Sequence, residues 1–542
     1  MNNQFLWPDY LIFGIYALVI ISVGLYVSRT KKGTEKTAED YFLAGKNLPW
    51  WAIGASLIAA NISAEQFIGM SGSGFAVGLA IASYEWMAAI TLIIVGKYFL
   101  PVFIKQGIYT IPEFVERRFN TSLKTILAVF WIALFIFVNL TSVLFLGAKA
   151  LDTILGNGDG STMIPFMIGL ALFAAAYSLW GGLSAVAWTD VIQVVLLVIG
   201  GLITTFIALN HVTPEGGIFN GMSYIYDQAG DKFDMILDKS NPEYSNLPGI
   251  AVLIGGMWVA NLYYWGFNQY IIQRALAAKS LREAQRGIAF AGFLKILIPL
   301  IVVIPGIIAY VMFTENIAGA HEAFTLTDGA VNYDKAYPWL IGTFIPVGLK
   351  GLVVAALAAA IVSSLASMLN SVSTIFTMDI YKPYFNKKAG NKQLVTSGRI
   401  TVLVALLIAG FTAPSLASLP QMFQYIQEYT GLVSPGILAI FLMGLFWKRT
   451  TSKGAVIGVL SSIPVALALK LLPIGMPFLD QMLYTLLISI VVIMGVSLTD
   501  KKADDSAKAI PLTGDTFITG KRYNISAYII LMVVAVLYAV FW

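Results

Sequence analysis

Apolar runs long enough to cross a bilayer recur from one end of the chain to the other, separated by short polar stretches. They predict fourteen membrane helices, near 9–28, 48–75, 78–103, 122–152, 163–180, 188–210, 249–272, 286–313, 349–380, 397–416, 420–447, 453–472, 478–498 and 524–542. Two of these interrupt their own pattern. The second carries Asn61, Ser63, Glu65 and Gln66 within six residues at mid-depth. A charge there costs roughly 2.5–3.5 kcal/mol on insertion scales, so it needs a partner or a function. The seventh mixes glycines, amides and aromatics from Gly255 to Gln269. A polar, glycine-flanked interruption of a membrane helix is a standard place to bind a solute or an ion. The interruptions lie five spans apart. That spacing predicts two five-helix repeats of inverted topology, 48–210 and 249–447, each opening with a broken helix. The helix at 9–28 and those within 453–542 fall outside the repeats as peripheral elements. The predicted fold is all-α and polytopic, a single transmembrane domain over 1–542.

Composition agrees with this class. Hydrophobic residues make up 58% and charged residues 12%, against about 25% charged in soluble domains. The absence of cysteine excludes disulfides and thiolate metal sites. The only histidines, His211 and His321, fall in predicted loops, which leaves no basis for histidine catalysis or a histidine proton relay. No G-x-x-x-x-G-K-[ST] supports ATP-driven pumping. No catalytic residue is expected. Basic residues gather in alternate loops: Arg29, Lys31, Lys32, Lys36 and Lys46; Lys105, Arg117, Arg118 and Lys124; Arg274, Lys279, Arg282 and Arg286; Lys382, Lys387, Lys388, Lys392 and Arg399; Lys448, Arg449 and Lys453. These loops are expected inside and both termini outside. The net charge of +5 then reports loop bias, not nucleic-acid binding. The first span has no basic residue before it and no small-residue cleavage site after it, unlike a signal peptide. The long outer loops, near 211–248 and 314–348, are mixed in composition, as loops holding short helices are.

The run ALAAAIVSSLASMLNS at 356–371 resembles the sodium/solute symporter family. Four segments resemble, more narrowly, its bacterial sodium/galactose and sodium/glucose cotransporters: ANISAEQFIGMSGSG (60–74), ASYEW (82–86), WVANLYYWGFNQYIIQR (258–274) and FQYIQEYTGLVSPG (423–436). The resemblance spans nearly the whole chain. It implies an amino-acid-transporter-type core of inverted repeats with flanking helices. It also implies Na⁺ and a small neutral sugar as ligands, and a bacterial inner membrane as the location.

Ser363 and Ser364 follow Ala360 by three and four positions and so share a helix face. Two hydroxyls and a freed carbonyl suit Na⁺, and the unwound second span can add the carbonyls of Ala59 and Ile62. Intramembrane serines also commonly bond back to their own helix. The resemblance decides for the ion. It further implies that Gln66, Glu85, Asn261, Lys295 and Gln427 meet sugar hydroxyls and that Tyr264 stacks on the ring as an inner gate beside Trp265. Glu85 with Lys295 has a second reading, a structural ion pair. Asn61 and Glu65 could instead satisfy the broken backbone; of the two, Asn61 ranks as the sugar contact. Met70, Tyr84 and Phe423 match the family's outer lid. Asp190 matches a residue near the ion exit path, although a helix N-cap explains it equally well. Position 88 is Ala where the resembling galactose transporters carry Ser, which puts galactose itself in doubt.

The expected function is Na⁺-coupled symport of a hexose by alternating access. The alternatives are a symporter of myo-inositol, proline or a carboxylate and, more remotely, a membrane enzyme or a channel. The cluster sets Glu85 against Lys295, whereas a carboxylate substrate calls for a net positive site. No acid–base set suits an enzyme, and no charged ring suits a channel.

Overall fold

The computed structural model describes residues 5–27, 29, 37–156, 158, 160–326, 329–418, 422–472, 475–500 and 506–542. Lys31, Lys32 and Lys36 of the first basic loop lie outside the described residues. Among those described the chain is helical, with isolated bridges only at Leu48–Ala278 and Thr325–Val331. The main elements are α1 (Trp7–Val27), α2 (Trp50–Asn61), α3 (Ser71–Ala76), α4 (Leu79–Gln106), α5 (Thr121–Leu155), α6 (Met163–Ala176), α7 (Gly182–Val212), α8 (Gly256–Phe267), α9 (Gln269–Leu276), α10 (Leu281–Thr314), α11 (Leu349–Phe385), α12 (Asn391–Leu416), α13 (Met422–Phe446), α14 (Ser452–Leu471), α15 (Phe478–Thr499) and α16 (Lys521–Val540).

Eleven described helices are long and apolar enough to cross a membrane, or twelve if Pro242–Ile254 and α8, which meet at 77°, form one span. Three of the expected fourteen, the second, fifth and seventh, differ from plain spans. The second is split into α2 and α3, and the fifth, α6, is short. Both expected interruptions are present. Ile62 turns extended (φ −78°, ψ 105°) after α2, and a π-helical turn, Glu65–Met70, follows before α3. The seventh span breaks twice, at Gly255 and at Asn268 (φ −83°, ψ 120°). The starts and ends of these broken spans are tied together, since Leu48 N–H donates to Ala277 O at 3.1 Å.

α11 lies deepest, with 94% of its apolar window buried, whereas α1 is 17% buried and turns residues such as Leu18 outward. α11 packs on α7, α10 packs on α2, α3 and α4, and α13 packs on α8 and α15. Close approach relies on missing side chains. A Cβ on Gly306 would stand 2.1 Å from Ser71 O, so α10 and α3 could not meet otherwise. The two long loops hold short helices, among them Ile218–Gln228 and Ala336–Phe344. Lys232 in the first loop donates to Ala76 O at 2.6 Å, capping α3, and burial draws its ammonium below the usual lysine range.

Three expected loop charges are not in loops open to solvent. Arg274 is fully buried in α9, Lys124 is nearly buried in α5, and Arg118 is fully buried. Arg118 donates to the carbonyls of Gly444 (2.9 Å), Trp447 (3.3 Å), Lys448 (3.2 Å) and Thr450 (3.1 Å), closing the end of α13. Gly444 O is left without a donor by the helix terminus and the other three lie just past it, and one buried cation meets them all. Arg118→Met is therefore expected to lose about 3 kcal/mol or more of stability. Thermal unfolding in detergent checks this; an unchanged midpoint would show that the arginine does not hold this end of α13.

Candidate functional site

The break in α2 leaves backbone groups that no helix can satisfy, and side chains take them over. Ser63 N–H and Oγ–H both donate to Gln66 Oε1, at 2.9 and 3.1 Å, and Glu65 N–H donates to Ser63 Oγ at 3.0 Å. Because Ser63 N–H turns to Gln66, it does not close the helical bond to Ala59 O. Because Gln66 N–H bonds Ser63 O at 3.2 Å, it does not close the one to Ile62 O. The two carbonyls expected at the ion site are among those this geometry releases, with that of Asn61. Here the structure corrects one expectation. Gln66, not Asn61 or Glu65, supports the broken backbone, while Glu65 Oε1 is buried without a hydrogen-bond partner.

Across from this break, Ser364 Oγ donates to Ala60 O at 3.0 Å and Ser363 Oγ to Asp190 Oδ1 at 2.5 Å. The serines thus bond to other helices, not back to their own. Ala360 sits in unbroken helix, so its carbonyl is not freed. Asp190 lies inside α7, well past its start at Gly182, so it is no N-cap. It accepts from Ser56 Oγ at 2.5 Å and faces Arg274 at 3.6 Å. Arg274 in turn donates to Ser56 Oγ at 2.8 Å, to Ser367 Oγ and to Tyr270 O. Arg274 thus lies in the core and not in the loop expected for it; its signal in sequence is a place six residues past Asn268, just after the second break.

One cavity gathers the rest. Asn61, Gln66, Glu85, Asn261, Tyr264, Lys295 and Gln427 all line it, as do Met70, Tyr84, Phe423 and Trp265. It encloses about 60 Å³, far below the ~300–1,000 Å³ of pockets holding drug-sized ligands. Its lids are shut. Toward the face opposite the basic loops, the Tyr84 and Phe423 rings meet edge to face at 5.3 Å, and Met70 is buried beside them. At the other end Tyr264 OH accepts from Asn61 Nδ2 at 2.9 Å and bonds Tyr270 OH. Lys295 donates to Glu85 Oε2 and to Asn61 Oδ1, and lies 5.0 Å over the Trp265 ring. The pair is thus structural and also faces the cavity. Asn261 Nδ2 bonds back to Met257 O at 3.2 Å, leaving its oxygen for the cavity. Ala88 is buried on α4 but does not line the cavity. Tyr263, Thr430, Gly431, Ser434 and Met482, absent from the sequence-level expectation, do.

Residues 41–461 match the sodium:solute symporter family. The chain is 65% identical over 540 residues, 98% of each chain, to a sodium/glucose cotransporter of Vibrio parahaemolyticus. Mouse sodium/glucose cotransporter 1 is 34% identical over 83% of this chain and 70% of its own length, and mouse sodium/myo-inositol cotransporter 2 is 34% identical over 85% and 69%. Among solved structures, a substrate-bound, outward-open Na⁺-coupled sialic acid symporter superposes with a TM-score of 0.79 at 25% identity, covering 93% of this chain and all of that one. Matched over that length and aligned almost end to end with such a relative, this chain belongs to the sodium:solute symporter family.

Proposed function

We propose that the protein carries a neutral hexose together with Na⁺ across a bacterial inner membrane by alternating access, with both termini outside and no covalent chemistry. The observation that carries the reading is convergence. Seven polar or aromatic side chains from five spans, with side-chain contacts closing both ends, surround one cavity at the broken spans. The named relatives support the choice of ligands, since they include sodium/glucose cotransporters of a bacterium and a mammal. In this reading the inverted repeats run over 48–210 and 249–447, with peripheral helices on either side.

In this reading Na⁺ binds the released carbonyls of Ala59 and Ile62 with the hydroxyls of Ser363 and Ser364. Ser364 already joins α11 to α2 through Ala60, so an ion there strengthens a tie between helices that must separate. Asp190, bonded to Ser363, gives the departing ion its next carboxylate. A sugar entering between Met70, Tyr84 and Phe423 takes hydroxyl contacts from Gln66 Nε2, Glu85, Asn261, Lys295 and Gln427. Competition with Asn61 and Lys295 loosens the bond that holds Tyr264, and its swing opens the inner side. Coupling requires that each ligand bind the two states unequally. The relative named for myo-inositol keeps a second polyol in view, because the same donors and acceptors read any ring of hydroxyls.

Counterflow of labelled glucose in liposomes tests the function. Accumulation in Na⁺ but not in K⁺ or Li⁺ is expected, and equal uptake in K⁺ overturns the reading. Lys295→Ala and Gln427→Ala should each cut uptake roughly tenfold or more at normal protein levels, since hydrogen bonds to charged or buried groups are worth ~1.5–3 kcal/mol. Uptake at the parental rate would remove that residue from the site. Ser364→Ala should shift half-activation by Na⁺ several-fold while saturating Na⁺ restores a near-normal sugar KM. An unmoved Na⁺ curve would place the ion elsewhere.

A further inference from the structure

Most hydroxyls inside these helices are spent on their own backbone. Ser367 Oγ bonds Ser363 O at 2.7 Å, Ser178 Oγ bonds Ala174 O at 2.7 Å, and Thr204 Oγ1 bonds Gly200 O at 2.9 Å. Two on α13 are not. Thr430 Oγ1 and Ser434 Oγ are buried without a hydrogen-bond partner, and both line the cavity. A buried polar atom left unpaired costs about as much as a lost hydrogen bond, so a native site that keeps one calls for an explanation. Ser434 is completely buried, so the missing partner is not bulk water.

The next residue sharpens the point. Pro435 lies inside α13 and has no N–H, so the carbonyl four residues earlier, that of Gly431, loses its helical donor. Gly431 also lines the cavity. Its missing side chain matters, because a Cβ there would stand 3.1 Å from Met482 Sδ on α15, the neighbouring wall. Gln427, Thr430, Gly431 and Ser434 fall at i, i+3, i+4 and i+7, which is one face of the helix. That face thus carries an amide, a released carbonyl and two hydroxyls with nothing to bond. A sugar hydroxyl needs an acceptor for its hydrogen and a donor for its oxygen. The Gly431 carbonyl supplies the first and Ser434 Oγ–H the second, on a wall separate from the Glu85–Lys295 pair.

We propose that Ser434, with the Gly431 carbonyl released by Pro435, reads one hydroxyl of the transported sugar and helps set which sugar is accepted. This rests on the symport reading above and adds a specificity residue to that site. Ser434 lies within the 423–436 segment that carries the family resemblance, but a serine before a helical proline is ordinary until the cavity is seen beside it.

The test is Na⁺-driven uptake by the full-length protein in liposomes, with glucose and the set of its monodeoxy analogues. Ser434→Ala should raise KM for glucose roughly two- to twelvefold, the range of one net hydrogen bond, with the maximal rate and the Na⁺ activation curve unchanged. For one deoxy analogue the variant and the parent should have the same KM, because the hydroxyl that Ser434 reads is already gone. Ser434→Thr, which keeps the hydroxyl, should retain that discrimination. Pro435→Ala, which returns an N–H to Gly431 O, should weaken discrimination at the same sugar position. An unchanged glucose KM in Ser434→Ala overturns the proposal, and so does an equal rise for glucose and every analogue, which is the mark of a packing role. If the parent protein takes up no hexose in Na⁺, the symport reading falls and this proposal with it; if it does and only the analogue pattern fails, this proposal alone falls.

Discussion

The fold turns on one problem, a piece of unwound backbone at membrane depth. Irregular backbone survives in a bilayer only where protein or a polar cavity surrounds it, since hydrocarbon offers no hydrogen bonds. Ile62–Ala64 meets that condition by being buried completely. Gln66 turns its amide oxygen back onto Ser63, and Ser364 reaches across from α11 to Ala60. These repairs are incomplete, and the incompleteness is useful. Satisfying Ser63 with a side chain releases Ala59 O, and the shortened turn after it releases Ile62 O. The same local event that makes the break tolerable also leaves two hard oxygens without their helical donors, on either side of the Ala60 carbonyl that Ser364 reaches.

Buried charge follows from the break and is managed in the same way. Taking two ions out of water repays its cost only with close geometry and further hydrogen bonds. Arg274 meets this with Asp190, Ser56, Ser367 and the Tyr270 carbonyl, tying α2, α7, α9 and α11 into one knot. Lys295 meets it with Glu85 and Asn61. The two knots touch the first broken span at Ser56 and at Asn61, and both reach the Tyr264–Tyr270 contact, one through Arg274 and the other through Asn61. An ion or a solute that competes for any of these groups therefore changes the balance at the Tyr264–Tyr270 contact. That differential is what a two-state transporter needs, and no long-range signal has to be supposed.

The α13 wall shows the same economy. A proline in a membrane helix is tolerated when neighbours satisfy what it frees. Here the freed carbonyl and two unpaired hydroxyls face the cavity, so the local defect of the helix lies where a polar cargo would pass.

The succession of apolar runs was enough to establish an all-helical membrane chain, because length and hydropathy are local properties that the bilayer itself selects. Asn61, Glu65 and Gln66 marked the first break for the same reason, since polar groups at that depth stand out against any apolar background. Tertiary structure decided what each one does. Gln66 rather than Glu65 caps the break, Arg274 leaves the basic loop for the core, Asp190 sits within its helix and not at its start, and Ala88 stays off the cavity. Ser434 was invisible to pattern, because a serine bonded to its own helix and a serine with no partner read identically in sequence. Which hydroxyl is spent and which is left over depends on the helix packed opposite, and that is set by distance in space and not by spacing along the chain.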